Sequence, residues 1–231
     1  MIGRGETPLG KLRGLMAAPH VTDPQTYATS KLRKNDLMDT CISSDRARFL
    51  RAWLQNPLNI ASVTPSSQSL AQLITSEIGP DTGHVIELGA GTGVFTRELI
   101  GRGVREEDIT LIEQDVSFIA MLNDRFPRAR VLNLDASNVD RLQGDGGRFG
   151  AAVSGLPLLS MSPRKVMAIL SASFRAMDGG GRFYQFTYGP RCPVPRAILD
   201  RLGLKAVRIG RTPWNLPPAA VYRISRRRRL P

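Results

Sequence analysis

A chain of 231 residues, 42% hydrophobic and 23% charged, is long enough for one α/β domain with a sizeable core plus an extension. No apolar run approaches the roughly 20 residues that span a bilayer, and the start of the chain shows neither the apolar stretch nor the cleavage site of a secretory signal, so the expected location is cytoplasmic. Two cysteines, Cys41 and Cys192, and two histidines, His20 and His84, stand at no metal-ligand spacing, which excludes a metal centre or a histidine-centred site as the natural reading.

The net charge of +12 is unevenly placed, because residues 191–231 hold eleven Lys or Arg against the single acid Asp200 and so carry +10 of it. Such an excess, ending in the run Arg226 to Arg229, attracts polyanions: nucleic acid or an anionic membrane surface.

Residues 1–35, rich in Gly, Pro and Thr with scattered bases, read as a flexible basic extension whose role stays open. Residues 36–231 read as a single domain opened by an amphipathic helix over 36–56. In it Ile42, Phe49, Leu50, Trp53 and Leu54 share one face, Arg48 and Arg51 lie opposite, and Arg46 interrupts the apolar arc. That face suits packing on the domain or lying in a lipid interface, and the pattern alone leaves both open. Pro57 ends this helix. Thr64 is placed to cap the next, over 66–78, with Pro65 in its first turn. A turn over 79–83 leads to a strand at 85–88.

From there the alternation is regular. Helices are expected at 94–101, 116–126 and 164–177, and strands at 109–112, 130–134, 150–154 and 182–188, with a loop or short helix after the third strand. The run Asp178-Gly-Gly-Gly181 reads as a turn. A helix near 195–202 precedes extended pieces at 205–209 and 219–224, which pair as an antiparallel edge hairpin. Strands alternating with helices imply a Rossmann-like α/β domain with a mostly parallel, seven-stranded sheet.

The most informative stretch is His84-Val-Ile-Glu-Leu-Gly-Ala-Gly-Thr-Gly93. A buried strand carrying Glu87 ends in a turn with Gly89, Ala90, Gly91 and Gly93. The spacing is G-x-G-x-G and not the G-x-G-x-x-G that seats a dinucleotide pyrophosphate, so it points to a nucleoside ligand without one. In doubly wound sheets ligands sit at the carboxyl ends of the strands. The second strand ends in Glu113-Gln114, twenty residues past Gly93, where such folds place the acid that accepts the ribose hydroxyls. The third ends at Asp135-Ala136, where an adenine amino group could donate. The fourth ends in Ser154-Gly155-Leu156-Pro157.

These strand ends resemble the class I S-adenosylmethionine-dependent methyltransferases over about residues 60–190. The resemblance implies that the glycine turn holds the methionine moiety, Glu113 the ribose and Asp135 the adenine, with Thr64, Gln114, Ala136 and Ser154 also facing the cofactor and no metal involved. Ribosomal RNA adenine dimethylases carry Asn-(Ile/Leu)-Pro-(Tyr/Phe) at the end of the fourth strand, and here Gly155-Leu-Pro-Leu158 lacks both the amide and the ring that would hold a flipped base.

Several segments resemble the soluble, Rhodobacter-type bacterial phospholipid N-methyltransferases: Phe49-Leu-Arg-Ala-Trp-Leu-Gln-Asn-Pro57, Ser62-Val-Thr-Pro-Ser-Ser67, Val153-Ser-Gly-Leu-Pro-Leu-Leu159, Phe186-Thr-Tyr-Gly-Pro190 and Trp214-Asn-Leu-Pro-Pro-Ala219. Ala90 stands where many members have proline. That resemblance implies stepwise N-methylation of phosphatidylethanolamine towards phosphatidylcholine by an enzyme that binds the membrane reversibly, here expected at its inner face and as a monomer. The rival reading is an adenine N6-methyltransferase of RNA or DNA.

In-line transfer to an amine needs mainly positioning. The turn Ser154–Pro157 is expected to aim oxygens at the neutral amine, and Tyr188 to offer either a π face to the methylated ammonium or plain packing. The basic tail and the 36–56 helix would meet the anionic surface.

Overall fold

The computed structural model describes residues 65–142, 148–213 and 218–227. The extension 1–35, the helix expected over 36–56, Thr64 and Trp214 lie outside the described residues.

Seven strands, β1 (Val85–Leu88), β2 (Ile109–Glu113), β3 (Arg130–Asn133), β4 (Phe149–Ser154), β5 (Met177–Thr187), β6 (Leu204–Thr212) and β7 (Ala219–Arg226), form one sheet in the order β3-β2-β1-β4-β5-β7-β6. β1 pairs parallel with β2 and β4, β2 with β3, and β4 with β5, while β7 runs antiparallel to both β5 and β6. Parallel strands covered on both faces must be apolar on both. β1 accordingly reads Val-Ile-Glu-Leu with all four residues buried, and Glu87 is the exception that needs a reason. The strand order reverses between β1 and β4, and their carboxyl ends therefore make the crevice where such sheets take a ligand.

Among the described residues, five helices cover the sheet: α1 (Pro65–Ile74), α2 (Val94–Gly101), α3 (Val116–Arg125), α4 (Pro163–Ala176) and α5 (Arg196–Arg201). Leu70 and Ile74 of α1, Phe95 and Leu99 of α2 and Leu122 of α3 pack with Val85, Leu111 and Val153 on one face. On the other, Val166, Ile169 and Leu170 of α4 and Ile198 and Leu199 of α5 pack with Ile86, Leu88 and Ala152. A fully buried Leu or Ile such as Leu99 or Ile86 contributes roughly 1.5–3 kcal/mol. The helix starts are capped as their sequences suggest: Asp115 accepts from Ser117 N at 2.9 Å ahead of α3, and Ser162 accepts from Lys165 N at 3.3 Å ahead of α4, with Pro163 first in the helix.

Two expectations are corrected, and the edge hairpin is met. The helix expected over 66–78 ends at Ile74, where Arg102 donates to the Gln72 carbonyl and to Thr75 Oγ1, each at 2.8 Å, and so supplies the partners that end carbonyls require. Asp178–Gly181 does not reverse the chain but belongs to β5. Met177 already pairs with Phe149, and Arg182 pairs with Ala151, so the four intervening residues bulge out opposite Gly150 alone. The edge hairpin forms, yet only β7 is antiparallel to the rest of the sheet. β6 shifts register between Arg208 and Gly210, bringing Gly210 so close to α1 that a Cβ there would lie 2.6 Å from Leu73 Cδ1.

Candidate active site

The glycine turn after β1 is fixed from three sides. Gly89 N donates to the Ile112 carbonyl at 2.8 Å and Gly93 N to the Ala90 carbonyl at 2.9 Å, while Arg125 reaches from α3 to the Thr92 carbonyl at 2.7 Å. Gly89, Gly91 and Gly93 have φ of 71°, 53° and 73°, the left-handed region that side chains resist. Their surroundings differ. A Cβ on Gly89 would sit 2.8 Å from Leu156 Cδ2 and one on Gly93 2.4 Å from Phe126 Cε2, whereas one on Gly91 would meet nothing within 4 Å. Gly91 thus presents bare backbone to open space, the approach a ligand needs.

Glu113, at the end of β2, faces this turn. Its Oε2 accepts from Gly91 N at 2.9 Å, and its Oε1 accepts from Gln114 N at 2.7 Å and Asp115 N at 3.0 Å. Oε2 keeps one lone pair for a hydroxyl, and Oε1 has spent both. A ribose would therefore exchange with the Gly91 contact, or with a backbone N–H on Oε1, to bind through both hydroxyls.

Glu87 is not at the surface of the crevice. It is completely buried, with Oε2 accepting from Thr96 Oγ1 at 2.7 Å and Oε1 without a partner. Burial pushes its carboxyl up to about 8, the Thr96 hydrogen bond pulling it back and the charge of Glu113 raising it further. Glu87 therefore carries a proton at neutral pH, and its unpartnered oxygen is the kind of buried polar atom that a ligand's ammonium would satisfy.

Asp135 follows β3 and caps the 3-10 turn Ala136–Arg141, Oδ1 accepting from Ser137 N at 2.8 Å and Ser137 Oγ at 2.7 Å. Its Oδ2 accepts from Lys165 Nζ. Burial pushes the carboxyl up, but the Lys165 hydrogen bond and the Ser137 donors outweigh it and hold Asp135 at about 2. The acid is therefore ionised, with one Oδ2 lone pair still open to an N–H. Ala136 is buried beside it.

The loop after β4 closes the crevice. Gly155 N donates to the Leu88 carbonyl at 2.9 Å, and a Cβ on Gly155 would lie 2.6 Å from the Gly89 carbonyl oxygen, so only glycine lets the two loops approach this closely. Ser154 is fully buried, and its Oγ accepts from Leu156 N at 3.3 Å. The Leu156 carbonyl is already occupied, accepting from Leu158 N at 2.9 Å and from Gln185 Nε2 at 3.0 Å. Pro157 O accepts one hydrogen bond, from Ser160 N at 2.9 Å. Tyr188 lies just past β5, edge-on to Phe186 at 5.4 Å between centroids, and Phe186 in turn meets Phe95 of α2 at 6.1 Å.

Glu113, Gln114, Asp135, Ala136, the glycine turn and Ser154–Pro157 thus come together at the carboxyl edge of β1 to β4. The Thr64 assignment lies outside the described residues. Three residues were missed. Gln185, in register with Ser154 and 1% exposed, stands out as an amide inside the apolar run Phe183–Phe186. Lys165 lies in the first turn of α4, where the helix dipole disfavours a cation unless an acid such as Asp135 faces it. Thr96, the partner of Glu87, had no distinguishing signal.

Part of the basic segment is also spent internally. Arg223 pairs with Glu77 at 2.6 Å, Arg226 donates to the Phe174 and Asp178 carbonyls over the Phe174 ring, and Arg227 pairs with Asp200. Arg191, Arg201, Lys205, Arg208 and Arg211 remain exposed.

No protein-family model matches the sequence. The ornithine lipid N-methyltransferase of Singulisphaera acidiphila is 29% identical over 180 residues, covering 75% of this chain and 92% of that protein. The probable ribosomal RNA small subunit methyltransferase A of Halobacterium salinarum is 38% identical over 112 residues, 48% of this chain but only 39% of that one.

Among solved structures, a TehB-like SAM-dependent methyltransferase from Corynebacterium glutamicum superposes with a TM-score of 0.55 at 18% identity, over 81% of this chain and 100% of that chain. A Burkholderia thailandensis 1,6-didemethyltoxoflavin N1-methyltransferase, solved with S-adenosylhomocysteine, gives 0.55 at 16% over 91% and 93%. At these identities the structures speak for the fold. The strand order and these neighbours give the chain the fold of S-adenosylmethionine-dependent methyltransferases.

Proposed function

We propose that the chain transfers methyl groups from S-adenosylmethionine to the headgroup amine of a membrane lipid, phosphatidylethanolamine and its mono- and dimethylated products, towards phosphatidylcholine. The cofactor supplies a methyl group already activated by its sulfonium. Around it, Gly91 leaves the backbone bare, Glu113 offers Oε2 to the ribose, Asp135 offers Oδ2 to the adenine amine, and the unpartnered Oε1 of Glu87 suits the methionine ammonium.

The observation that carries the choice of acceptor is the loop Ser154–Leu158. It has no amide to accept from an adenine amine and no ring to stack on a base. It does have small residues packed against the glycine turn, with oxygens at Ser154, Gly155 and Pro157. A compact alkylamine fits such a loop. Carbonyl and hydroxyl oxygens hold its N–H groups, align the lone pair with the methyl, and stabilise the positive charge left on nitrogen. Tyr188, at the end of the Phe95–Phe186 ring series, presents a face to that cation. The N-methyltransferase from Singulisphaera acidiphila supports a lipid amine in general, and it makes ornithine lipid the second acceptor to test. The ribosomal RNA relatives align over less than half of their own length, which supports shared cofactor binding more than a shared acceptor.

Radiolabelled cofactor offered in parallel with phosphatidylethanolamine vesicles, ornithine lipid vesicles and RNA, then extracted into organic solvent, decides between them. Label in the phosphatidylethanolamine phase is expected. Label retained with RNA, or confined to ornithine lipid, refutes the assignment.

A further inference from the structure

We propose that Leu159 is the point at which the acceptor mouth enters a lipid bilayer, with Arg164 and Arg191 beside it on lipid phosphates. The inference rests on the lipid-amine reading above and places the contact at the acceptor loop, where Arg191 is the first base of the 191–231 segment.

Among the described residues, three large apolar side chains are exposed, and Leu159, at 56%, is the one on the acceptor loop. The 3-10 turn Leu158–Ser160 sends Leu158 into the core, 2% exposed, and Leu159 outward. Single exposed leucines are ordinary, but the setting of this one is not. Across from it lies Gly189, where a Cβ would stand 3.5 Å from Leu159 Cδ1 and 3.9 Å from the Arg191 carbonyl oxygen. The loops leaving β4 and β5 therefore meet under Leu159. Pro190 and Arg191, which follow Gly189, are exposed, and so is Arg164 in the first turn of α4.

On the same loop, Leu156 reaches the glycine turn, its Cδ2 lying 2.8 Å from where a Cβ on Gly89 would be. A lipid amine stays within a few bonds of its phosphate, so the loop that receives it must touch the surface of the bilayer. A leucine at that rim gains by leaving water, and the exposed guanidinium groups of Arg164 and Arg191 match lipid phosphates in geometry and charge.

Leu159→Trp adds a third tryptophan to the two in the chain, and it reads the contact without any turnover. With vesicles of phosphatidylethanolamine and phosphatidylglycerol, the added emission should shift to shorter wavelength and be quenched when the acyl chains are brominated. If the protein floats with the vesicles while the added emission stays unchanged, the proposal is overturned.

Leu159→Asp should slow methylation of vesicle-presented phosphatidylethanolamine by about tenfold, the equivalent of losing one buried leucine side chain, and leave S-adenosylhomocysteine binding and the rate on a dispersed short-chain phosphatidylethanolamine within about twofold. Equal slowing on both lipids would overturn the proposal by placing the leucine's role inside the site. Failure of the lipid reading itself looks different: no label enters either lipid although S-adenosylhomocysteine still binds.

Discussion

Glu87→Gln isolates the electrostatics of the cofactor crevice. The Glu87 carboxyl is completely buried, and burial raises it from an ordinary 4.5 to about 8. Between those values the folded chain holds a proton that the unfolded chain has released, so stability is greatest below about pH 4.5, falls as pH rises through the window, and levels off above about 8. A shift from 4.5 to about 8, at about 1.4 kcal/mol per unit, sets a ceiling on the order of 5 kcal/mol. At about 2–4 °C per kcal/mol for a chain of this size, the wild type should lose roughly 10 °C of Tm between pH 5 and pH 8.5 relative to the variant, whose amide does not titrate.

The assay is thermal unfolding of both proteins across that range, where every other group cancels in the difference. Parallel curves would refute the buried-proton argument. The same group predicts that S-adenosylhomocysteine, whose ammonium would sit at Glu87 Oε1, expels the proton at pH 7. Its binding heat should then depend on the ionisation enthalpy of the buffer in the wild type and not in the variant.

Four other substitutions test the remaining contacts. Gly155→Ala places a Cβ 2.6 Å from the Gly89 carbonyl oxygen, an overpacking that should cost about 1–3 kcal/mol in chemical denaturation; an unchanged midpoint would show that the two loops give way freely. If Glu113 accepts the ribose hydroxyls as proposed, Glu113→Gln replaces a charged acceptor by a neutral one and should weaken S-adenosylhomocysteine by roughly tenfold or more in calorimetry. Gln185→Leu frees the Leu156 carbonyl and should lower kcat with little change in cofactor affinity, a split that a merely structural glutamine would not give. Lys165→Met removes the cation that helps hold Asp135 at about 2. A depressed acid stabilises above its unfolded value and loses that contribution as pH falls through its folded value. The wild type should therefore exceed the variant in stability at pH 5–7, and the difference should vanish towards pH 2.

Much of the architecture was legible because parallel strands buried on both faces must be short apolar runs, and here β1, β2 and β4 each end at a glycine or an acid. The bounds of β1 and α2 follow directly, since Gly89 and Gly93 mark where the backbone leaves regular geometry. The misread segment was Asp178–Gly181, where three glycines suggest a reversal. What decides is non-local: Met177 and Phe149 pair before the glycines, and a bulge then absorbs them. The site residues could be placed on strand ends from spacing alone, but their states could not. That Glu113 is engaged by three backbone donors, or that Asp135 pairs with a lysine thirty residues on, depends on how loops return to the sheet, which local sequence does not encode.

If the proposed lipid amine is the acceptor, the loop after β4 needs little chemistry of its own. Its most obvious oxygen, the Leu156 carbonyl, is withdrawn from catalysis because Leu158 N and Gln185 Nε2 already saturate it. The loop is thereby made rigid. Ser154 Oγ is aimed by its bond from Leu156 N, and Gly155 is held against Leu88 and Gly89 with no room to shift. The oxygens left to an amine belong to Ser154, Gly155 and Pro157, and all of them sit on backbone that Gln185 and the glycine turn have fixed. Preorganised dipoles of this kind cost nothing to reorient as charge develops on nitrogen. A base-specific acceptor site spends an amide and a ring on recognising one flat nucleobase, whereas a headgroup amine, tethered at the membrane surface, arrives already oriented by the lipid that carries it.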